Sequence, residues 1–172
     1  MWAPTSTLAH APAATMPLGR MGNFAHGWLQ TPLGPVSVTE ETGRIVALDW
    51  RASDRPPTLL EAEALAQLQA YFAGSLTTFD LELDFGAGLH EKVRRAMAAI
   101  PFGETLTYGD IASAVEAPAQ AVGQACGANP IPILIPCHRV LGAKTLGGFS
   151  AKGGVETKVW LLRHEHAAGL LI

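Results

Sequence analysis

The sequence predicts an α+β fold: a small antiparallel sheet with one helix in the first half, then a mainly helical second half carrying a helix-turn-helix and a cysteine-bearing loop. Three observations predict it. Alternating apolar and polar residues broken by turn formers fill residues 24–52, apolar residues recur at helical spacing around 59–72 and 93–100, and two short helical stretches meet at a tight turn within 108–126.

The first element is an expected disordered extension over residues 1–23, rich in Ala, Pro, Thr and Met. It lacks the basic start and unbroken apolar centre of a signal peptide, and Pro4, Pro12 and Pro17 oppose a helix. Within 24–52, Trp28 and Leu29, then Val36 to Thr39, then Ile45 to Trp50 read as strands, with Glu41-Thr42-Gly43 as a turn. Leu65, Leu68, Tyr71 and Phe72 form the stripe of a helix over Leu59 to Phe72, closed by Gly74. Phe79 to Phe85 alternates with Asp80, Glu82 and Asp84, as one more strand or extended segment would. These elements make up an expected N-terminal domain over 24–85.

Gly86-Ala87-Gly88 reads as a linker into a second domain over 89–172. Val93, Met97 and Ile100 give an apolar stripe whose opposite face carries Lys92, Arg94 and Arg95, and Pro101 ends that helix. Tyr108 to Val115 is the next helix, with Ile111, Ala112 and Val115 inward. Pro118 then opens a helix running to about Cys126 that is nearly bare: Ala119, Ala121, Val122, Gly123, Ala125. Such a surface either packs closely against another helix or approaches the narrow minor groove of DNA, where bulky side chains would collide.

Composition narrows the function classes. With 172 residues and 48% apolar content the chain is globular. Cys126 and Cys137 are its two cysteines, too few for a disulfide framework or an all-cysteine zinc site, and a reducing, cytoplasmic setting fits. No stretch resembles a membrane span. The net charge of −3 is unevenly divided: residues 1–85 hold four Lys/Arg against nine Asp/Glu, net −5, and residues 86–172 hold eight against six, net +2. That surplus permits a phosphate-contacting face.

The chemistry concentrates at Ile131 to Leu141, where an apolar run passes directly into Cys137-His138-Arg139. A cysteine after Ile133-Leu134-Ile135 can be a small buried hydrophobe. Pro132 and Pro136, which prevent ordinary strand pairing, and the charged pair that follows weigh equally toward a reactive thiol, so these residues alone leave both readings open. Positive charge beside it would favour the thiolate.

Ile100-Pro101-Phe102-Gly103-Glu104-Thr105, Tyr108, Ala121-Val122-Gly123, Asn129-Pro130, Pro132 to Val140, Gly147 to Ser150, Lys158 and Trp160 to Glu165 together resemble the O6-alkylguanine-DNA alkyltransferases. The resemblance covers roughly Leu89 to Glu165 and implies a single-turnover repair protein. The damaged base would be flipped through the minor groove of double-stranded DNA, and its alkyl group passed irreversibly to Cys137. O6-alkylguanine is the implied substrate, with O4-alkylthymine a second candidate.

By the same resemblance His138 draws the thiol proton through a water, Glu165 holds the imidazole, and Tyr108 protonates the leaving base. Ser150 and main-chain groups at Val140 hold the base, Pro132 lines its pocket, Lys158 buttresses the site and Asn129 ties the turn before the loop. Gln120, Ala121, Gly123, Arg139, Arg94 and Arg95 are the expected DNA contacts. No cofactor is expected, because thiol and substrate contain all the reacting atoms. No metal is expected either: no cysteine precedes Cys126, and His10, His26 and His90 are scattered. A monomer is the expected form.

One position departs from the family pattern. An arginine that enters the base stack usually stands where this chain has Gln120, a shorter and uncharged side chain. Weaker capture of damaged bases follows, and with it a rival reading as a sensor that binds alkylated DNA with weak or no transfer. A papain-like thiol hydrolase is a further alternative, although its Cys and His come from distant segments rather than adjacent positions.

Overall fold

The structure, a computed structural model, describes residues 24–167. The expected extension over 1–23 and the end of the second domain, 168–172, lie outside the described residues. Strands β1 (Trp28–Thr31), β2 (Gly34–Glu41) and β3 (Arg44–Asp49) form an antiparallel sheet in the order β1-β2-β3. Val38 stands opposite Leu48, and a register shift between Thr39 and Glu40 bends β2. Leu29, Val36, Val38, Ile45 and Leu48 are buried, so the alternation seen in sequence gives one covered face.

Helix α1 (Leu59–Phe72) packs on that sheet. Thr58 and Glu61 form a capping box at its start, and buried Glu61 also accepts the Glu40 N–H at 2.9 Å and pairs with Arg55 at 2.7 Å. Ala64, Leu65, Leu68 and Tyr71 are its buried stripe. Gly74, at φ +79°, lets its N–H return to the Tyr71 carbonyl and stop the helix. Phe79 to Phe85 is extended without becoming a strand. Its pairing is one parallel bridge, with the Ile45 N–H on Glu82 O at 2.8 Å and the Asp84 N–H on Ile45 O at 2.9 Å.

The second half is mainly helical. Helix α2 (Gly88–Ala98) buries Val93 and Met97 and ends before Pro101; α3 (Tyr108–Val115) starts at a Thr107/Asp110 capping box and ends at Glu116 with φ +55°. Pro118, expected at the first helical position, is instead the N-cap of α4 (Ala119–Gly127). β4 (Leu106–Thr107) pairs in parallel with β5 (Val140–Leu141), which follows the cysteine loop. A last helix, α5 (Gly154–His164), has no clear signal in the sequence, because its buried positions include Thr157 and Lys158 beside Leu161 and Leu162. Polar residues on the inner face blur the apolar stripe.

The result is an α+β architecture in which one continuous apolar cluster runs from Phe24 and Leu29 through α1 to Ile135 and Leu161. The Leu48 N–H, on β3, donates to Pro130 O at 2.9 Å, so the sheet is tied to the chain just before the cysteine loop. No helix among the described residues is long and apolar enough to cross a membrane.

Candidate active site

Residues 131–140 are buried throughout, and short turns rather than a regular element shape the approach to Cys137. The Leu134 N–H bonds Pro132 O at 2.9 Å around Ile133, whose φ of +71° is unusual for a β-branched residue. Holding it there costs about 1–3 kcal/mol, which the surrounding contacts must offset. A second tight turn follows at Pro136 (φ −81°, ψ 68°), where the Cys137 N–H bonds Ile135 O at 2.8 Å. Proline has no N–H to leave unpaired at such a bend.

Asn129 clamps this segment from the end of α4. Its Nδ2 donates to Ile135 O at 2.9 Å and its Oδ1 accepts the Ile131 N–H at 3.1 Å. One buried amide thus spans both ends of the turn.

Cys137, 7% exposed, opens into a cavity of about 350 Å³ lined by Tyr108, Gly123, Cys126, Phe149 and Ser150. Gly123 has nothing within 4 Å of where a Cβ would stand, so the bare face of α4 leaves open space at the cavity's edge. Gly147, at φ +71°, makes room for Tyr108: a Cβ there would lie 2.9 Å from the tyrosine ring. The Ser150 hydroxyl donates to Gly127 O at 2.9 Å and joins the loop after β5 to the end of α4.

Lys158 is fully buried on α5. Its Nζ donates to Val140 O at 2.6 Å and Gly148 O at 3.1 Å and lies 5.9 Å from the centre of the Tyr108 ring. Burial lowers its pKa to about 8, against the opposing pull of the two thiols. Burial pushes the Cys137 thiol up, and the nearby Asn129 amide and the Lys158 charge draw it part of the way back. Tyr108 is also raised, first by burial and then by the two cysteines.

Deeper in the protein, Glu165 collects four hydrogen bonds. Its Oε2 accepts from Arg139 Nε at 2.9 Å, and its Oε1 accepts from His138 Nε2 at 2.7 Å, an Arg139 terminal nitrogen at 2.9 Å and the Tyr71 hydroxyl at 2.8 Å. Burial alone would raise the carboxyl, but the His138 and Arg139 contacts outweigh it and leave the pKa at about 2. His138 is lowered, chiefly by complete burial and also by the nearby Arg139 and Lys158 charges. A carboxylate only accepts, so the neutral imidazole carries its proton on Nε2 and leaves Nδ1 free to take another. That Nδ1 is buried and has no protein partner.

Several expected placements change. Arg139 does not face DNA: it is 6% exposed, bonded twice to Glu165 and, at 2.6 Å, to Ile100 O. Its charge is therefore spent on the carboxylate, and Lys158 is the cation acting on the thiol. A resting thiolate, expected from the sequence neighbours, is disfavoured by burial. Arg94 donates to Phe85 O at 3.3 Å and Ala128 O at 3.4 Å and so ties α2 to the linker and to the end of α4, while Arg95 pairs with Glu91 at 3.0 Å over the Phe85 ring and stays exposed. Pro132 is buried in the turn and does not line the cavity. The Val140 carbonyl is engaged by Lys158.

Gln120 is exposed on α4, with Ala121 and Gly123 half-buried beside it. Tyr71 and Cys126 join the site without a role expected from the sequence, and Gly147 and Phe149 join it having been named only within the Gly147 to Ser150 motif. Tyr71 sits at a helical stripe position, where an aromatic residue reads as packing.

The chain is similar to known proteins along nearly its whole length. The model of the 6-O-methylguanine DNA methyltransferase DNA binding domain matches residues 88–167, and that of the same family's ribonuclease-like domain matches 25–85. A Mycobacterium leprae methylated-DNA--protein-cysteine methyltransferase is 42% identical over 162 residues, covering 92% of this chain and 93% of that protein. The constitutive Bacillus subtilis protein of the same name is 40% identical over 151 residues, covering 79% and 92%. The crystal structure of Mycobacterium tuberculosis O6-methylguanine methyltransferase matches with a TM-score of 0.69 and 38% identity, covering 81% of this chain and 90% of that one. A structure described as Mycobacterium tuberculosis OGT in complex with DNA matches with a TM-score of 0.69 and 39% identity, covering 81% and 91%. Matched in both halves and at such identity over nearly its whole length, the chain belongs to the 6-O-methylguanine DNA methyltransferase family.

Proposed function

We propose that the protein repairs alkylated DNA by direct reversal, moving the alkyl group from O6 of guanine irreversibly onto Cys137. The observation that carries this reading is a buried thiol opening into a cavity, adjacent in the chain to a histidine whose free Nδ1 belongs to a relay ending on Glu165 and Arg139. O4-alkylthymine offers the same kind of carbon–oxygen bond and is a second substrate.

The reaction requires a thiolate that burial disfavours at rest. A water between Cys137 and His138 Nδ1 carries the thiol proton to the imidazole, and Glu165 stabilises the cation that forms. Sulfur attacks the alkyl carbon, the bond from that carbon to O6 breaks, and its electron pair goes to the base. Tyr108 gives the departing guanine a proton. In sum, a thiol and an alkylated base become a thioether and guanine, with one proton passed from sulfur to base, so no cofactor is needed.

Lys158 supports this by holding the Val140 and Gly148 carbonyls beside the cavity and by placing positive charge near the thiol. Ser150, which lines the cavity, holds the polar edge of the base. The small side chains of α4, with Gln120 exposed among them, suit close approach to the minor groove of double-stranded DNA. All the reacting groups come from one chain, which supports a monomer. The requirement for a free thiol supports a cytoplasmic setting.

Incubation with duplex DNA containing O6-methylguanine, followed by peptide mass spectrometry, tests the proposal. One methyl group should appear on the Cys137 peptide per protein molecule, with none on Cys137→Ser. Tight binding without methyl gain would instead favour the sensor reading that the exposed Gln120 motivates.

A further inference from the structure

We infer that Tyr71, from the N-terminal helix α1, is a positioning residue for the transfer reaction: its hydroxyl shares Glu165 Oε1 with His138 and so sets how strongly His138 holds a proton. This rests on the proposed role of the Cys137, His138 and Glu165 relay.

The geometry is direct. Tyr71 is fully buried, and its hydroxyl lies 2.8 Å from the carboxylate oxygen that His138 Nε2 approaches to 2.7 Å. The Phe72, Phe79 and Phe102 rings surround it, with centroids 5.2, 5.4 and 6.2 Å away. His164 holds its main chain, with Nε2 2.8 Å from Tyr71 O. A hydroxyl reaching a carboxylate can only donate, and burial together with the Glu165 charge keeps that proton in place across the working pH range. Tyr71 is therefore a permanent donor, unlike a group that switches with pH.

Every donor on Oε1 lessens the negative charge that the oxygen offers to the imidazolium. Arg139 withdraws charge through both oxygens, Lys158 adds positive charge nearby, and the Cys137 thiol and His164 complete the titratable neighbours of the relay and of Tyr71. Tyr71 differs from these in its origin. It lies 94 residues from Glu165 in sequence, in the half of the chain whose described residues contribute nothing to the cavity wall. The first half thereby acquires a role in tuning the base that activates the thiol.

Tyr71→Phe keeps the ring and removes the donor. Single-turnover methyl transfer measured against pH should show the acid limb moved upward by about half to one pH unit, because a less-satisfied Oε1 raises the proton affinity of His138. Loss of packing alone would lower the rate equally at every pH, and superimposable normalised profiles would overturn the inference. Site-specific 3-fluorotyrosine at position 71, a stronger donor with intact packing, should move the limb the other way and serves if Tyr71→Phe does not fold. Nitrogen-detected NMR titration of His138 reads the same shift without turnover. A wild-type protein that transfers no methyl group defeats the functional reading, whereas an unshifted His138 titration defeats this inference alone.

Discussion

Replacing Glu165 by Gln perturbs the most heavily bonded carboxylate in the structure. Its pKa of about 2 against an ordinary 4.5 means that ionised Glu165 favours the folded state by about 3 kcal/mol, at about 1.4 kcal/mol per pH unit. An amide has one accepting oxygen and a nitrogen that would face the Arg139 N–H groups, leaving the buried guanidinium uncompensated. Breaking a buried pair from one side costs about 3–5 kcal/mol, the same order. The carboxyl is depressed in the fold, so its contribution is present above pH 4.5 and disappears as pH falls toward 2. Urea unfolding followed by tryptophan fluorescence should therefore show Glu165→Gln less stable by about 3 kcal/mol at pH 7, with the gap closing below pH 4.5. A gap below about 1 kcal/mol at pH 7, or one that does not change with pH, would refute the reasoning.

Two further substitutions probe the thiol and the DNA face. Lys158→Met removes the cation that pulls the Cys137 thiol down and frees the Val140 and Gly148 carbonyls, so alkylation of Cys137 by iodoacetamide at pH 7 should slow by roughly tenfold; an equal rate would exclude an electrostatic role. Gln120→Arg should speed single-turnover repair of duplex O6-benzylguanine by roughly tenfold, the worth of one charge-assisted contact of about 1.4 kcal/mol, and leave the rate with free O6-benzylguanine unchanged. An unchanged duplex rate would show that the glutamine already fills the vacated stack.

Local pattern made α1 and α3 legible to the residue, since each combines an apolar stripe with a capping box or a glycine stop. It failed at α5, where Lys158 and Thr157 occupy inner positions for reasons that lie in other segments. The same division holds at the site. Cys137 and His138 are visible because they are adjacent, and Tyr108, Asn129, Lys158 and Glu165 became visible through the family resemblance. Arg139 was misplaced because a sequence shows that an arginine is near a cysteine but not which way it turns. Its partner, Glu165, lies 26 residues away. Tyr71 was invisible for the same reason, as its chemistry resides in one hydroxyl whose target is 94 residues distant.

The turn of Arg139 changes the logic of the nucleophile. Had its charge faced the sulfur, Cys137 would rest as an exposed-charge thiolate, open to any soft electrophile or oxidant that entered the cavity. Instead the guanidinium fixes Glu165, burial holds the thiol protonated, and His138 waits with Nδ1 empty. A protein that acts once and is then spent gains from such restraint, because each stray reaction at Cys137 removes a repair event. In the proposed mechanism His138 draws off the thiol proton and the Lys158 charge favours the anion as the alkyl carbon is attacked, so reactivity depends on a positioned substrate rather than on the resting acidity of the thiol.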